Sequence, residues 1–389
     1  MKVTISVGGK FHAFYLAKQL DKYGFLDTIF TSYPYFKVKD SRIDRKKVKC
    51  LVKKEILERI FYILPYIKFK EKIDIPYYTA NLFDYEVSHA IKPCDIFVGW
   101  SGFCLYTIKK IRNSFKPKII VERGSVHIET QREIMQDEQR RLGISLNLPS
   151  SKIIHKEKEE YQLADFIVVP SNFAKESFIK KSFKREKIIV IPLGVDVNLF
   201  KPIPKEDKKF RIILVGISVQ KGVHYVLKAI SELRLKDIEV FLIGIPNQDI
   251  KPLLKVYKYN KELNLNLIGG IPKNQLYKYY SQGSVFILFS LEDGFGMVVL
   301  EAMAVGLPVI CSTNVGAKDV VREGIDGFIV PIRDTEALKE KIIFLYEHPQ
   351  LCKEMGEAAR ENVIRNYTWQ HYGERIIETY KKIYENKIR

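Results

Sequence analysis

Seventeen residues, S-L-E-D-G-F-G-M-V-V-L-E-A-M-A-V-G from Ser290 to Gly306, limit what this chain can fold into more than any other stretch. They follow an unbroken apolar run, Val285-Phe286-Ile287-Leu288-Phe289. Such a run, rich in β-formers, reads as a strand buried on both faces of a parallel sheet. The loop that begins at its carboxyl end carries Gly294 and Gly296, which let the backbone approach a bound group closely. From Met297 the pattern turns helical, and the first amides of a helix have no partner within it. A helix start of this kind holds anions, phosphates above all. Asp293 repels phosphate but is suited to accept hydrogen bonds from hydroxyl groups, and Glu301, one turn beyond Met297, points to the same side. The implied ligand carries both phosphates and hydroxyls. Taken singly, Asp293 is as well explained by a helix cap or a turn, and Glu301 by a solvated helix face.

The whole string resembles the E-x7-E motif of the retaining nucleotide-sugar glycosyltransferases of family 4, the glycosyl transferases group 1, written E-G-F-G-x-x-x-x-E-A-M-A-x-G-x-P. Glu301 stands at the second glutamate, F-G, E-A-M-A and G-L-P are in place, and Asp293 replaces the first glutamate, with Glu292 just before it. The resemblance implies an α/β fold of glycosyltransferase B architecture, two Rossmann-like domains facing across a cleft. It implies an amino-terminal acceptor domain over residues 1–200 and a donor domain over 201–365. The tail, 366–389, is expected as an amphipathic helix crossing back to the first domain. The run from Phe200 to Phe210, with two prolines and a charge cluster, is the expected hinge.

Length supports two domains, since 389 residues exceed one ordinary core. The net charge of +18 is uneven: residues 1–200 hold 36 Lys and Arg against 23 Asp and Glu, and the remainder 28 against 23. The first half therefore faces something anionic. Its densest part, residues 37–72, carries 13 basic against 5 acidic residues. There Leu51, Ile56, Ile60, Phe61, Ile63 and Leu64 form an apolar face flanked by Lys53, Lys54 and Arg59. This face suits either an interfacial helix on anionic lipid or a helix packed on the core. No recognition motif for nucleic acid accompanies the charge. The five cysteines form no C-x-x-C pair, so neither a metal site nor a disulfide framework is expected. No apolar stretch reaches the length of a membrane span, and the amino terminus enters a strand at once. The expected location is cytoplasmic, or peripheral on the cytoplasmic face of the membrane.

The first strand is expected over Val3 to Val7, then Gly8-Gly9, then a helix with Phe11, Phe14, Tyr15, Ala17 and Leu20 on one side and Gly24 as its stop. Strand, glycine turn and helix together form a phosphate cradle, although a plain turn explains G-G as well. It is not the G-x-G-x-x-G of dinucleotide enzymes. Further strands are expected at 95–99 and 118–121, followed by E-R-G-S-V-H-I-E-T-Q. By the resemblance, Gly8 and Gly9 lie against the diphosphate and His127 contacts the donor at the reacting face. Arg123 is suited to bind phosphate or an anionic acceptor. In A-D-F-I-V-V-P-S-N-F, Ser171 or Asn172 caps a helix.

The second half begins with a strand at 211–215 and G-I-S-V-Q-K-G, Gly216 to Gly222. A lysine between glycines at a helix start is a point charge aimed at phosphate, and Lys221 matches the diphosphate-binding lysine of the family. The arginine usual a few residues earlier is absent; Ile217 and Gln220 occupy that stretch. G-G-I-P-K-N-Q-L places Ile271 near the nucleobase by resemblance. The reading is thus transfer of a hexosyl unit from a UDP-sugar or GDP-sugar to a hydroxyl of a glycan or lipid-linked acceptor, with retention and without metal or other cofactor. Lys221 and the helix start at Met297 and Val298 stabilise the departing diphosphate. Asp293 with the amides of Phe295 and Gly296 positions the sugar, Glu301 takes the ribose diol, and Gly216 lines the pocket. No carboxylate nucleophile stands out, which favours same-face attack assisted by the leaving phosphate. The rival readings are a nucleotide-sugar epimerase of the same architecture and a non-catalytic membrane-associated scaffold.

Overall fold

A computed structural model describes residues 1–63, 74–233, 235, 237–258 and 264–387. Among them are two parallel sheets. The first contains β1 (Val3–Val7), β2 (Leu26–Thr31), β3 (Val48–Cys50), β4 (Ile96–Trp100), β5 (Lys118–Glu122), β6 (Phe166–Val169) and β7 (Ile188–Val190). Its order is β3-β2-β1-β4-β5-β6-β7. The second contains β8 (Phe210–Val215), β9 (Ile238–Ile243), β10 (Asn264–Gly269), β11 (Val285–Leu288), β12 (Val309–Ser312) and β13 (Gly327–Val330), in the order β10-β9-β8-β11-β12-β13. These are two Rossmann-like sheets of the α/β class, as the sequence leads one to expect. In each, the chain starts in the middle, winds one way, returns and winds the other. The strand order reverses between β1 and β4 and again between β8 and β11. Ligands of such sheets sit at the carboxyl ends of strands flanking that reversal.

The central strands are apolar on both faces because helices cover both. Every residue of β1, β4 and β11 is buried. Helix Ala13–Lys22 presents Ala13, Phe14, Leu16, Ala17 and Leu20 to the first sheet. Phe11, expected on that face, instead precedes the helix, 61% exposed and with a left-handed φ of 37°.

Two long-range packings join the halves. The helix Trp369–Tyr384 begins with a capping box between Thr368 and His371 and lies along helix Ala13–Lys22. There Trp369 stacks on Tyr15 with ring centroids 3.7 Å apart, and Thr368 bridges to Val195. From the other side, helix Ile128–Leu142 and the residues after it send Met135 and Leu146 into the core of the second sheet. Glu138 of that helix, fully buried, accepts hydrogen bonds from Tyr225 Oη at 2.8 Å and Arg333 Nε at 2.7 Å, and His224 Nε2 lies 3.1 Å away.

The expected basic helix runs over Lys53–Ile63. Ile56, Leu57 and Ile60 are exposed on it, while Leu51 and Phe61 are half-buried. Leu64 and the rest of that stretch to residue 72 lie outside the described residues. Among the described residues no helix is long and apolar enough to cross a membrane.

Candidate active site

At the carboxyl mouth of the second sheet, β11 runs out into the buried Phe289-Ser290-Leu291-Glu292 and then the loop Asp293-Gly294-Phe295-Gly296. The loop is pinned to the turn after β12, Asp293 N–H donating to Asn314 O at 3.0 Å and Asp293 O accepting from Gly316 N–H at 2.9 Å. Gly296, at φ 85°, turns the chain into helix Met297–Ala304. One strand over, β8 is followed by Gly216, also left-handed at φ 85°, and then by Lys221 with its N–H on Ser218 Oγ at 3.2 Å. Gly222 packs so closely on Phe289 that a Cβ there would lie 2.0 Å from the carbonyl oxygen. These turns bring Lys221 Nζ to 2.5 Å from Asp293 Oδ2, while Asp293 Oδ1 accepts from Phe295 N–H at 3.3 Å. Burial works against the charge of Lys221, but the Asp293 carboxylate more than offsets it, and the ammonium titrates above its usual range.

Glu301 lies one turn along the same helix, 4% exposed. Lys273 Nζ stands 2.9 Å from its Oε1, and Tyr280 Oη donates to Oε2 at 3.4 Å. Burial raises the Glu301 carboxyl, and Lys273 opposes that rise without cancelling it. Lys273 comes from the turn after β10, two residues past Ile271, and its ammonium sits 6.0 Å from the Tyr15 ring centre in the first half. Ile271, Met297 and Val298 are half-buried against the shared core, and Phe295 is buried.

The two mouths meet directly. A Cβ on Gly294 would lie 2.3 Å from Gly124 O and from Ser125 Cα, and one on Gly316 would lie 2.0 Å from Gly294 O. Gly294, read from sequence as making room for a ligand, instead makes room for the backbone of the other half. Ser171 Oγ donates to Gly294 O at 2.7 Å while also capping helix Asn172–Ile179, and Asn172 N–H donates to Asp319 Oδ2 at 2.6 Å. Glu292 is wholly buried at this seam. It accepts from Ser125 Oγ at 2.5 Å, Gln131 Nε2 at 3.2 Å and Gln220 Nε2 at 2.9 Å. Burial, foremost, raises its carboxyl.

The structure therefore groups Lys221, Asp293, Phe295, Gly296 and Met297, with Gly216 beside them. A Cβ on Gly216 would touch the Lys221 side chain at 3.6 Å. It does not bring His127 to this group. That ring is 1% exposed, packed among Tyr161, Phe178 and Phe183, and its Nδ1 accepts from Glu129 N–H at 3.2 Å as the cap of helix Ile128–Leu142. Burial, foremost, lowers its pKa to about 4. Arg123 is spent inside the first half, donating to Val126 O, Ser101 Oγ, Glu157 Oε1 and Gln131 Oε1. Gly8 is needed for packing, since a Cβ would lie 2.1 Å from the Phe103 ring, and Gly9 sits against Phe11. Sequence reasoning passed over Glu292, Gln131, Gln220 and Lys273 as site residues. Gln220 occupies the stretch where the resembled family has its arginine, and its amide is tied to Glu292.

A cavity of about 990 Å³ lies elsewhere, lined in part by Lys205, Phe210, Leu307 and Cys352. It opens where β8 begins, away from the strand ends that bind ligands in such sheets.

Residues 196–362 match the family model Glycosyl transferases group 1 and form a domain of that family. The trehalose synthase of Pyrococcus horikoshii is 28% identical over 54% of this chain and 51% of its own length. An uncharacterized glycosyltransferase of Methanocaldococcus jannaschii is 25% identical over 73% and 71%. The MMP alpha-(1->4)-mannosyltransferase of Mycolicibacterium hassiacum is 26% identical over 57% and 54%. The chain thus spans about half the length of two of these relatives. Sucrose-phosphate synthase from Thermosynechococcus elongatus shares the fold with a TM-score of 0.73 at 18% identity, covering 99% of this chain and all of that one. Anabaena HepE, solved in complex with UDP-glucose, gives 0.68 at 14% identity, covering 98% and 100%. These likenesses establish the two-sheet GT-B architecture.

Proposed function

We propose that this chain is a glycosyltransferase that moves a hexosyl unit from a UDP-sugar or GDP-sugar to a hydroxyl of a glycan or lipid-linked acceptor, retaining the anomeric configuration. The observation that carries the reading is the pair Lys221 and Asp293 in the turns that lead into helix Met297–Ala304, whose start has no side-chain cap, at the strand reversal of the second sheet. An ammonium and a helix start offer charge and directed N–H groups to a diphosphate. Both favour the state in which the phosphate leaves with extra negative charge, and each such contact is worth roughly 3–4 kcal/mol of barrier by analogy with oxyanion-hole deletions. Asp293 takes the sugar hydroxyls once phosphate draws Lys221 away, and Glu301 takes the ribose diol. The diphosphate charge is met by these protein groups, without a metal. The UDP-glucose in the Anabaena protein supports this choice of donor class.

The exposed Ile56, Leu57 and Ile60, within the basic stretch 37–72, support a peripheral seat on an anionic, cytoplasmic membrane face. A thermal-shift screen with UDP-glucose, GDP-mannose and the free nucleotides tests the donor assignment. A ligand that binds only the native state must raise the melting temperature, so no shift with any of them would count against it.

A further inference from the structure

The proposed reaction uses Lys221 and Asp293 and leaves the residues that precede them, Gln220 and Glu292, without a task. Glu292 is wholly buried. A carboxylate is kept in such a place only where hydrogen bonds or charges replace the water it gives up. Here the replacements come from both halves of the chain. From the loop after β5, Ser125 Oγ donates to Oε1 at 2.5 Å and Val126 N–H approaches it at 3.5 Å. From helix Ile128–Leu142, Gln131 Nε2 donates to Oε2 at 3.2 Å, and from the second half Gln220 Nε2 donates to the same oxygen at 2.9 Å.

What stands behind these amides fixes which way they face. A guanidinium can only donate, and Arg123 Nη2 donates to Gln131 Oε1 at 2.8 Å, so Gln131 turns its NH2 group to Glu292. The NH2 group of Gln220 also donates to the main-chain carbonyl of Glu292 at 3.1 Å, an oxygen that can only accept. Oε2 therefore meets two donors, an arrangement that suits the ionised carboxylate. Burial raises the Glu292 carboxyl, while the Ser125 hydrogen bond and the Arg123 charge oppose that rise. Arg123 is itself anchored, its Nη1 lying 3.0 Å from Glu157 Oε2. A continuous polar chain, Glu157, Arg123, Gln131, Glu292 and Gln220, thus runs from the interior of the first half to the lysine turn of the second.

That chain ends beside the reacting pair. The two loops that carry Lys221 and Asp293 are joined by the Glu292 and Gln220 side chains and again by Leu291 N–H on Gln220 O at 2.9 Å. Movement of Glu292 shifts the backbone of Asp293, and with it the 2.5 Å contact to Lys221. Capture of the nucleotide is another matter, because Lys221 and the helix start at Met297 both belong to the second half.

We infer that Glu292 is a positioning residue, clasping the first half through Ser125 and Gln131 and the lysine turn through Gln220, so that Lys221 and Asp293 are aligned for transfer while the halves are joined. This rests on the glycosyl-transfer reading. The clasp acts on the rate and not on nucleotide affinity, and Gln131, which touches neither Lys221 nor Asp293, controls that rate from the other half.

The test exchanges donor and acceptor across the seam. Wild type, Gln131→Leu, Gln131→Glu and the double variant Gln131→Glu with Glu292→Gln are given UDP-glucose and GDP-mannose with water as acceptor. The kcat of nucleotide release is read beside UDP and GDP affinity by calorimetry, at a temperature where thermal unfolding shows each chain folded. Gln131→Glu sets a second carboxylate against Glu292 and should lower kcat about tenfold or more, the weight of a hydrogen bond to a buried charge. Nucleotide affinity should stay within about threefold. Adding Glu292→Gln gives the new carboxylate an amide to accept from, and should return kcat to within about threefold of wild type. Gln131→Leu removes the donor without adding charge and should lower kcat about fivefold or more, which keeps the test decisive if Gln131→Glu does not fold. A role confined to stability would lower the melting temperature and leave the kcat of the folded enzyme unchanged. Wild-type kcat in folded Gln131→Leu, or no recovery in the double variant, overturns the proposal. A wild type that binds nucleotide but releases none overturns it as well, since no rate is then set at the seam. A wild type that binds neither UDP nor GDP sinks the glycosyl-transfer reading itself, a result distinguishable from the others.

Discussion

Lys221 Nζ and Asp293 Oδ2 lie 2.5 Å apart, although 72 residues separate them in the chain. The adjacency of β8 and β11 makes the contact, and it has a consequence for binding. With no donor present, each side chain neutralises the other. In the proposed reaction a nucleoside diphosphate would claim the ammonium and leave the freed carboxylate for the sugar.

Asp293→Asn removes the competitor for Lys221. Affinity for free UDP or GDP should hold or rise by up to about tenfold, as expected for a part-exposed pair worth near 1 kcal/mol. Turnover of the sugar nucleotide should fall by about 10²-fold or more, because a charge-assisted contact to the sugar is lost. Calorimetry and a release assay read the two effects separately. A parallel loss of both would mean that Asp293 serves the phosphate site.

Glu301 is fixed by Lys273 and Tyr280, and under the proposed function the ribose diol would have to enter that arrangement. Hydrogen bonds to a charged group contribute about 1.5–3 kcal/mol, so Glu301→Ala should weaken nucleotide binding about 10- to 100-fold. The same substitution should leave affinity for the 2′,3′-dideoxy nucleotide unchanged. Equal losses for both ligands would remove the ribose from the Glu301 account.

Gly294→Ala tests the seam. Its Cβ would lie 2.3 Å from the backbone of Gly124 and Ser125, with no flexible side chain to yield. Overpacking of this kind costs about 1–3 kcal/mol, and the chain relieves it by parting the halves. Small-angle scattering should show a larger radius of gyration with secondary structure intact. An unchanged radius and unchanged stability would show that the contact is dispensable.

His127 sets an acid limit on stability. Its folded pKa is about 4, below the value of 6.5 for the free side chain. As pH falls, the unfolded chain binds that proton first, so stability is full above about 6.5 and declines as pH drops toward about 4. The loss amounts to about 3 kcal/mol over that window, at 1.36 kcal/mol per unit of pKa. His127→Asn keeps an acceptor for the helix cap and should flatten this part of the curve, as read by denaturant unfolding between pH 4 and 7. A curve with the same slope as wild type would place the titration elsewhere.

Local pattern carried the architecture. Val3–Val7 and the run before Ser290 announced central strands because both faces of such strands are apolar, and Ser171 announced a helix start because its oxygen accepts from Ala174 N–H. Lys221 and Asp293 were legible through glycines at strand ends. What sequence did not disclose depends on the halves meeting: Glu292 with Gln131, Ser125 with Glu292, and Gly294 with Gly124. These pairs are more than 160 residues apart, and no short-range periodicity links them. His127 misled for a related reason. Its local string suggests a ligand loop, whereas the aromatic residues that enclose it come from helices further along the chain.

The central claim is that Lys221 and the helix start at Met297 hold the diphosphate of the donor. Calorimetric titration of UDP and GDP into wild type and Lys221→Met, under one buffer condition, measures it most directly. Wild type should bind one of the two nucleotides, and Lys221→Met should bind it about 10- to 100-fold more weakly, the loss of one charge-assisted contact, with an unaltered circular dichroism spectrum. Equal affinity in the two chains would contradict the claim.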